Sequence, residues 1–526
     1  MRGPYLQRTS WSETVIRWRT DFESDSVVMY GPSPDNLVNE VSDGTLTTEH
    51  EITVSGLLPE TVYYYSIGSS TEVLAGGDAD HSVKTSPPPG TDVPVRIWVL
   101  GDSGTGDANA AAVRDAYQSY AQGEQTDIVL MLGDNAYNSG TDEEYQAAVF
   151  DMYPMLLRQT TFWPAYGNHD AISADANTET GPYFNIFSLP RAGEVGGLPS
   201  GTEAYYSFDY GSVHFICLDS QESSRLPGGN MMNWLEADLD ETGAKWVIAY
   251  WHHPPYTHGS HNSDNRSDSG ARMFDMRERA VPVLEAANAD LVLNGHSHSY
   301  ERSYLLDGHY GTSSTLTPEM ILDGGDGRAD GNGAYLKPTR KTPHTGSVYT
   351  VAGSSGLTSG GTLDHPAMFF SANQLGSVVI DIVGNDLTAQ FLDSNGVVQD
   401  WYTISKTDSL NDCVTLNARD LYAGLTATFT VSGGVPGSQT VVLWGVVDGT
   451  FQLNNGGWCV DFGFFVPELE PLSRLAGYGT FDETGRCVIE KRIPFQYFGA
   501  DVRFQAAMSG TCPDPCMSNI IRTTIR

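Results

Sequence analysis

Short apolar runs that stop at a glycine or a histidine recur through residues 92–302 of this chain. The five runs are Val95–Leu100, Asp127–Leu132, Thr161–Tyr166, Trp246–Trp251 and Asp290–Asn294. Runs of this length that stop so abruptly predict buried strands. Helical spacing of apolar residues lies between and beside them, at about Ala108–Gln122, Asp142–Leu157, Asn230–Glu241 and Met276–Ala287. Strands that alternate with helices of this length predict βαβ units in an α/β domain.

The segments on either side of this region have a different pattern. Residues 3–86 contain alternating runs at Thr14–Trp18, Ser26–Tyr30 and Val62–Ile67 with turn residues between them, and this pattern predicts a small β-sandwich. Ser86-Pro87-Pro88-Pro89-Gly90 is predicted to be a stiff linker. We therefore predict three domains, at residues 1–88, 92–405 and 408–526.

Strands are also predicted after Arg302, where the chain becomes rich in glycine. Within the second domain the runs are Ser347–Gly353, Gly376–Val383 and Leu387–Leu392, and we assign all three to a second sheet. Within residues 408–526 the predicted strands are Thr426–Ser432, Thr440–Val447, Cys487–Ile493 and Val502–Ala507. These strands predict a third unit that contains β-structure.

The length and the charge of the chain narrow the possible functions. A chain of 526 residues is too long for one hydrophobic core, and no run approaches the roughly 20 apolar residues of a membrane helix. The 65 acidic residues outnumber the 29 basic ones, which gives a net charge of −36. Such a surface repels nucleic acid and anionic lipid, so we expect no nucleic-acid binding. Because no apolar run is long enough, we also expect no membrane span. It suits an exported protein, and adaptation to a saline habitat is one hypothesis.

The six cysteines are unevenly distributed. Cys217 lies alone in the apolar run Val213–Leu218, which predicts a buried, inert thiol. The other five lie in the last quarter of the chain and are Cys413, Cys459, Cys487, Cys512 and Cys516. No second close pair or neighbouring histidine favours a metal site, so we predict two disulfides and one free thiol in an oxidising compartment.

Polar motifs follow each of the five apolar runs. They are Gly101-Asp102-Ser103-Gly104, Gly133-Asp134-Asn135-Ala136-Tyr137, Gly167-Asn168-His169-Asp170, His252-His253-Pro254-Pro255-Tyr256 and Gly295-His296-Ser297-His298. Ligand sites in α/β sheets lie beyond the carboxyl ends of the strands. We therefore expect these Asp, Asn, His and Tyr side chains to meet at one edge and to bind two metal ions.

The order and content of the five motifs resemble the calcineurin-like metallophosphoesterases. The segments Gly133–Tyr137 and Gly295–Arg302 are similar to those of the purple acid phosphatases, and the resemblance covers roughly residues 3–405. It implies a four-layer α/β/β/α sandwich for the second domain. Pro4–Gln7 and Gly56–Tyr65 resemble the fibronectin type III-like N-terminal domain of that family. Residues 408–526 resemble the C-terminal β-sandwich modules of exported bacterial enzymes. Their role could be surface attachment, substrate capture or simple stabilisation of the protein.

The family pattern implies a role for each candidate ligand. Asp134 would bridge two cations, Asp102, Tyr137 and His298 would complete one site, and Asn168, His252 and His296 would complete the other. Hard Asp and Tyr oxygens suit Fe(III), whereas Asn and two His suit a divalent ion such as Zn, Mn or Fe. Tyr137 could instead be an aromatic residue packed beside the strand end.

Adjacent residues of an extended chain point to opposite sides, so His252 and His253 cannot both face one cation. The family pattern selects His252 as the ligand and leaves His253 as a supporting or core residue. Asp170, which stands where many relatives have Glu, would also support the ligands. Tyr300, Glu301 and Arg302 would brace the His296–His298 loop or serve as ordinary packing and ion-pair residues.

The resemblance also implies a reaction. A hydroxide formed from metal-bound water would attack the phosphorus of a small phosphate ester in line with the leaving oxygen. His169 lies beside ligand Asn168, and His261 matches a family position that contacts substrate, so either could be the general acid. His258 could contact substrate or be a solvated loop histidine.

We therefore expect a phosphate monoesterase with an acidic optimum that is secreted, periplasmic or bound to the cell surface after removal of a signal peptide. A phosphodiesterase or nucleotide-cleaving enzyme on the same scaffold is the main alternative. A binding protein with an inactive domain is a more remote one.

Overall fold

The computed structural model describes residues 2–339, 341–407, 415–419, 425–432, 439–445, 447–455, 458–465, 475–480, 482, 486–493, 501–508 and 516–524. These residues form two compact units. The first contains Met1–Glu285, Ala289–Tyr335 and Gly346–Ser405, and the second contains Ala286–Asn288, Leu336–Thr345 and Lys406–Arg526. The first predicted domain and most of the second thus fall in the first unit, whereas the third falls in the second unit. The predicted boundary between residues 88 and 92 stays a prediction.

The N-terminal part of the first unit is built from strands alone. These are β1 Arg2–Gln7, β2 Glu13–Gly31, β3 Asn39–Ser55, β4 Val62–Gly68, β5 Val73–Gly76 and β6 Ser82–Lys84. The strand order is β1-β2-β4-β5, with β3 on β2 and β6 on β4. Side chains that alternate inward form its core, in which Trp18 stacks on His50 at 4.7 Å.

The long strand β2 differs from the sequence prediction of two separate strands. Residues 19–25 are mostly polar, which suggested a turn, yet they continue the strand. The hydrogen-bond register with β3 shifts on either side of Ser24, which pairs with Thr47. A bulged, solvent-exposed stretch of strand has the same polarity as a turn, so polarity alone could not distinguish the two.

The remainder of the first unit contains both strands and helices. Its strands, and β17, are β7 Val95–Leu100, β8 Ile128–Met131, β9 Phe162–Pro164, β10 Tyr206–Tyr210, β11 Val213–Cys217, β12 Trp246–Trp251, β13 Leu291–Asn294, β14 Tyr300–Ser303, β15 Leu305–Leu306, β16 Ile321–Asp323, β17 Tyr335–Pro338, β18 Val348–Ala352, β19 Met368–Ala372, β20 Gly376–Val383, β21 Asp386–Asp393 and β22 Val398–Thr407. The helices are α1 Ala108–Ala121, α2 Asp142–Tyr145, α3 Pro154–Leu157, α4 Pro182–Ile186, α5 Asn230–Glu241, α6 Arg272–Asp275 and α7 Val281–Ala286.

Two mixed sheets organise these elements. One contains the order β22-β21-β20-β7-β8-β9 and the other the order β10-β11-β12-β13-β18-β14-β19. Strands β7, β8 and β9 are parallel, as are β11, β12, β13 and β18. Helix α1 packs on β20 and β21, and β18 of one sheet contacts β20 of the other. The predicted α/β class is confirmed.

The assignment of strands to the second sheet was wrong in part. Only β18, from the run Ser347–Gly353, lies in the sheet that contains β12 and β13. Strand β20 instead pairs antiparallel with β7, with Val379 opposite Trp98, and β21 pairs with β20. Apolar periodicity reports burial and not the partner strand, which is why the pattern could not assign these strands.

Two of the four predicted helices form as single elements. Helix α1 begins where the Asp107 side chain accepts hydrogen bonds from the backbone of Asn109 and Ala110, and α5 has the predicted bounds. The other two predicted helices are interrupted by π-helical turns at Gln146–Phe150 and Met276–Ala280. Pro154 begins α3, because its ring allows only the first turn of a helix.

Contacts within the first unit join the N-terminal strands to the α/β part. The guanidinium of Arg2 donates to both carboxylate oxygens of Asp142, at 2.9 and 2.8 Å. Arg19 donates to the same carboxylate, at 2.6 and 2.9 Å. Tyr5 donates its hydroxyl hydrogen to the carbonyl of Ile186 at 2.9 Å. These long-range contacts explain why residues 2–285 form one compact unit.

The second unit is built from strands in its described part. These are β23 Thr415–Arg419, β24 Thr426–Ser432, β25 Gln439–Gly445, β26 Val447–Asn455, β27 Trp458–Phe465, β28 Leu475–Thr480, β29 Arg486–Arg492, β30 Asp501–Met508 and β31 Cys516–Thr524. The sheets have the orders β23-β24-β29, β28-β25-β30-β31 and β26-β27. Phe429 and Phe504 bring two of these sheets together, with ring centroids 4.8 Å apart. The four predicted strands are all present.

The cysteines are only partly described. Cys217 is buried and unbridged, as predicted, and burial raises the pKa of its thiol. Cys487 is likewise buried with a free thiol. The side chains of Cys413, Cys459, Cys512 and Cys516 lie outside the described residues, so the two disulfides remain a prediction.

Candidate metal centre

The five predicted motifs follow β7, β8, β9, β12 and β13, and the structure brings their polar side chains together. Three of these residues, Asp102, Asp134 and His296, have left-handed backbone conformations with φ of 55°, 52° and 66°. Residues other than glycine seldom adopt such angles, and they occur preferentially at functional sites. Each turn redirects a side chain immediately after its strand ends.

The first group of converging atoms surrounds the Tyr137 hydroxyl. Its oxygen lies 3.0 Å from Asp102 Oδ1, 3.1 Å from Asp134 Oδ2 and 3.3 Å from His298 Nε2. His298 Nε2 is also 3.5 Å from Asp102 Oδ1. All four residues predicted for the first cation therefore face one point.

The second group surrounds His252 Nε2. This nitrogen lies 3.3 Å from Asp134 Oδ1, 3.0 Å from Asn168 Oδ1 and 3.2 Å from His296 Nδ1. Asp134 thus presents one carboxylate oxygen to each group. The geometry matches the bridging arrangement that the family pattern implies.

Two glycines make this close approach possible. A side chain at Gly167 would overlap the backbone nitrogen and Oδ1 of Asp134, and one at Gly295 would press on Asp102 Oδ2. Asp102 Oδ2 also accepts the backbone N–H of His296 at 2.7 Å, and Asp134 Oδ1 accepts that of His169 at 2.8 Å. The motif glycines therefore allow one strand end to pack directly on another.

Hydrogen bonding on the far side of His252 fixes which ring nitrogen faces the group. Its Nδ1 lies 2.9 Å from the Leu132 carbonyl, which can only accept, so Nδ1 carries the hydrogen. In the neutral ring, the lone pair on Nε2 then faces the oxygens of Asp134 and Asn168. Electron pairs that face each other at 3.0–3.3 Å need a proton or a metal ion between them. The donor set fits a bound metal ion.

The pKa values of His252 and Tyr137 are both raised by the buried carboxylates beside them. Burial opposes the charged form of His252, but the adjacent Asp134 carboxylate outweighs it and raises the pKa of that imidazole to about 9. Burial, together with the charges of Asp102 and Asp134, raises the pKa of Tyr137 well above its usual value. In each case positive charge is drawn to the site, from a proton or from a metal ion.

The predicted substrate histidines differ in where they lie. His169 Nε2 is 3.9 Å from Asp134 Oδ2, and its Nδ1 donates to the Asn138 carbonyl at 2.6 Å. His261 stacks on His296 with ring centroids 3.8 Å apart. Both side chains retain 30% exposure, so both are accessible from solvent.

His258 is held away from the two groups by carboxylates. Its Nδ1 lies 2.9 Å from Asp364 Oδ1 and its Nε2 lies 3.4 Å from Asp264 Oδ2. Its backbone N–H donates to Glu301 at 3.2 Å. Of its two sequence interpretations, these ion pairs favour a loop residue over a substrate ligand.

Asp170 lies directly behind the metal-binding loops. It accepts hydrogen bonds from the backbone of Asn135 and Gly167, at 3.1 and 2.9 Å, and from the hydroxyl of Tyr145 at 2.5 Å. Burial, reinforced by the charge of Asp134, raises the pKa of Asp170 to about 6. The carboxyl therefore ties the second and third motifs together.

The His253 ring lies edge-on to that of His252, with 4.9 Å between the ring centroids, and packs beside His296. Its Nδ1 is 2.8 Å from Ser220 Oγ, and its ring lies 4.3 Å from that of His296. Burial, followed by the nearby charge of His252, lowers the pKa of His253 well below its usual value. It is a neutral, buried residue.

Tyr300, Glu301 and Arg302 brace the loop that carries His296 and His298. Tyr300 donates to Asp400 at 3.0 Å, and Arg302 forms a two-pronged ion pair with the same carboxylate at 2.9 and 2.8 Å. Glu301 accepts hydrogen bonds from Thr257, Ser299 and the backbone of His258. These residues position the loop and do not reach the two groups.

The sequence did not reveal several hydroxyl groups that hold the histidines. Ser269 Oγ lies 2.6 Å from His296 Nε2, and Ser359 Oγ lies 2.6 Å from His298 Nδ1. Ser260 Oγ accepts the backbone N–H of His298 at 2.9 Å. Serines in polar loops carry no distinctive spacing, so only the fold could identify them.

Comparison with known protein families agrees with this geometry. Residues 95–300 match the calcineurin-like phosphoesterase family, and residues 2–85 match the purple acid phosphatase N-terminal domain. The chain therefore contains a calcineurin-like phosphoesterase domain and a purple acid phosphatase N-terminal domain. The resemblance noted from the motifs is thereby confirmed.

Curated relatives of this chain include purple acid phosphatase 15 of Arabidopsis thaliana, which is 26% identical over 48% of this chain and 49% of the relative. Probable purple acid phosphatase 20 of the same plant is 27% identical over 55% and 65%. An uncharacterized protein of Mycobacterium tuberculosis is 26% identical over 67% and 69%. The chain thus spans about half to two thirds of the length of the first curated relatives it matches.

A solved structure supports the fold. The purple acid phosphatase PPD1 from yellow lupin (Lupinus luteus) seeds superimposes with a TM-score of 0.55 at 18% identity, and the match covers 77% of this chain and 74% of the lupin chain. In the part of the chain that the structure describes, no helix has the length and apolar character needed to cross a membrane.

Proposed function

We propose that this chain hydrolyses small phosphate monoesters at a centre of two metal ions, with an acidic pH optimum. The observation that carries the proposal is the position of Asp134, which directs Oδ2 to the Tyr137 group and Oδ1 to the His252 group. A carboxylate shared in this way is the expected bridge between two cations.

The two groups suit different ions. Asp102, Asp134, Tyr137 and His298 supply mainly hard oxygens, which favour Fe(III), and the phenolate would give the protein a visible colour. Asp134, Asn168, His252 and His296 favour a divalent ion, for which Zn, Fe and Mn are candidates. When bound, such ions supply a Lewis acid for the phosphoryl oxygens and acidify a water molecule.

Side chains of this protein bind the ester and protonate the leaving oxygen. Nδ1 of His169 is engaged by the Asn138 carbonyl, and Nδ1 of His261 lies 2.8 Å from Asp268 Oδ1. Each ring therefore keeps Nε2 for the substrate, and a protonated ring can donate that hydrogen to the departing alkoxide. Asp170 and His253 hold the ligand loops in place behind them.

We further propose that the protein works outside the cytoplasm, in a secreted, periplasmic or surface-bound form, on small phosphorylated compounds. The net charge of −36 and the cysteines concentrated in the last quarter of the chain support this location. Residues 408–526 would then be an accessory β domain. Deletion of residues 408–526 that leaves kcat/KM unchanged would support the accessory role.

The deciding experiment compares p-nitrophenyl phosphate with bis(p-nitrophenyl) phosphate as substrates of the metal-containing protein between pH 4 and pH 9. We expect a higher kcat/KM for the monoester with a maximum below pH 7. Asp134→Asn should reduce the rate to background, whereas Asp330→Asn, an exposed acidic residue, should not change it.

A preference for the diester would instead favour the phosphodiesterase alternative. No hydrolysis of either ester by protein that contains two metal ions would favour a binding protein and overturn the proposal.

A further inference from the structure

A strained turn lies against the second group of candidate ligands. Ser269, Gly270 and Ala271 have successive φ values of 51°, 60° and 68°. Side chains disfavour this left-handed conformation, and it persists where surrounding contacts enforce it. Arg272 supplies such contacts, because its Nη1 donates to the Ser269 carbonyl and its Nε to the Gln221 carbonyl, each at 2.9 Å.

This turn directs the Ser269 hydroxyl to the far side of His296. Ser269 Oγ donates its hydrogen to Asp268 Oδ1 at 2.8 Å, so it can only accept from His296 Nε2 at 2.6 Å. Nε2 of His296 therefore carries the hydrogen of the neutral ring. The lone pair remains on Nδ1, which lies 3.2 Å from His252 Nε2 and faces the second group.

The same carboxylate also holds His261. Its Oδ1 lies 2.8 Å from His261 Nδ1, and its Oδ2 accepts the backbone N–H of Asn262 at 2.9 Å. His261 in turn stacks on His296 at 3.8 Å with an interplanar angle of 18°. One carboxylate therefore orients both rings of the stack.

We propose that Asp268 and Ser269 are a positioning pair that couples the cation-binding His296 to the substrate-side His261. Ser269 selects the His296 tautomer that presents Nδ1, and Asp268 orders both the Ser269 hydroxyl and the His261 ring. The inference rests on the proposed function and identifies residues that none of the five motifs contains. Hydrogen-bond partners of metal-binding histidines commonly alter metal affinity or activity by about 10- to 100-fold.

The first test measures Zn²⁺ affinity of metal-free protein by competition with a chromogenic chelator. Ser269→Ala, which leaves the Asp268–His261 contact intact, should weaken one Zn²⁺ equivalent about 10- to 100-fold. Asp268→Ala should weaken the same equivalent, and Asp268→Asn, which keeps an acceptor oxygen, should restore part of it. Ser267→Ala, an exposed serine of the same loop, is the matched control and should bind like the parent protein.

The second test measures kcat/KM for a phosphate monoester with excess metal. Ser269→Ala should then recover the parental value, because mass action refills the site, whereas Asp268→Ala should remain impaired through His261. In a His261→Ala background, Asp268→Ala should cause no further loss. Circular dichroism of each variant verifies that the fold is retained.

Parental Zn²⁺ affinity in Ser269→Ala would overturn the inference, as would additive losses for Asp268→Ala and His261→Ala. These results are distinguishable from failure of the proposed function. If the parent protein binds two Zn²⁺ ions but hydrolyses no phosphoester, the proposed function and the proposed role of Asp268 in orienting His261 for substrate both fail. The Zn²⁺ affinities would still decide whether Ser269 positions His296.

Discussion

His252 Nε2 lies 3.3 Å from Asp134 Oδ1, although the two residues follow strands of different sheets. Asp134 follows β8 and His252 follows β12. The contact therefore depends on how the sheets pack, and not on either motif alone. It places a lone pair of a fixed imidazole tautomer against a buried carboxylate, which is the arrangement expected around a cation.

Replacing Tyr137 with phenylalanine should abolish the visible absorption band of the iron-containing protein, because the band requires a phenolate bound to Fe(III). The Tyr137 oxygen is 3.0 Å from Asp102 and 3.3 Å from His298, so it has no other evident partner than the first group. Tyr120→Phe is the control, because Tyr120 is half-buried and its hydroxyl accepts a hydrogen bond from Gln390. A band of equal intensity in both variants would exclude Tyr137 as a ligand.

His261→Ala and His258→Ala should have unequal effects on catalysis. His261 stacks on His296, whereas His258 is held by Asp364 and Asp264. Loss of a general acid typically lowers the rate about 10²- to 10⁴-fold. We expect a loss of that order for His261→Ala or for His169→Ala, and a smaller one for His258→Ala. Steady-state kinetics would contradict this ranking if His258→Ala were the most impaired.

Arg302→Met should destabilise the first unit by about 3–5 kcal/mol, because it leaves the buried Asp400 carboxylate without its two-pronged partner. Both side chains of that ion pair are 0% exposed. Arg191→Met is the matched control, because Arg191 is 51% exposed and its pair with Glu179 should contribute about 0–1 kcal/mol. Chemical denaturation at constant metal content measures the difference. Equal losses in the two variants would contradict the prediction.

Stability should fall in alkaline solution because of His214. Burial disfavours its charge, but hydrogen bonds to Asp209 and Asp238, at 2.7 and 2.9 Å, outweigh burial and raise the pKa of His214 to about 9. An unfolded histidine has a pKa of about 6.5, so the contribution is complete below that pH and is lost as the pH rises through 9.

Between pH 6 and pH 10, the free energy of unfolding of the parent protein should fall by about 3 kcal/mol more than that of His214→Gln, as measured by chemical denaturation. Parallel stability curves for the two proteins would show that the His214 charge makes no contribution.

Added salt should stabilise the folded protein, because the net charge of −36 means that acidic side chains repel one another in the compact state. Raising NaCl from about 0.05 M to about 1 M shortens the screening length to about 3 Å and should raise Tm. Calorimetry should measure Tm in NaCl and, as a control, in sucrose of the same osmolality. A rise in Tm with NaCl but not with sucrose is due to charge screening. A Tm that is constant or falls with salt would contradict both this prediction and the saline-habitat hypothesis.

The sequence predicted the candidate site more fully than the fold around it. The apolar runs that end at Gly101, Gly133, Gly167, His252 and Gly295 signal strand ends, and local chemistry identifies the polar residues beyond them. The Ser269 turn had no such signal, because its left-handed backbone is enforced by Arg272 and not by its own residue types. The position of His258 likewise depends on Asp364, more than a hundred residues away.

By itself the sequence determined where most of the strands lie and which polar residue types follow them, since burial period and turn chemistry are local properties. Tertiary structure decided that β20 joins β7, that β2 continues through its polar middle, and that two carboxylate oxygens of Asp134 face two separate groups. Strand pairing and side-chain convergence arise from contacts between distant segments, and a periodic pattern records that a residue is buried without recording its partner.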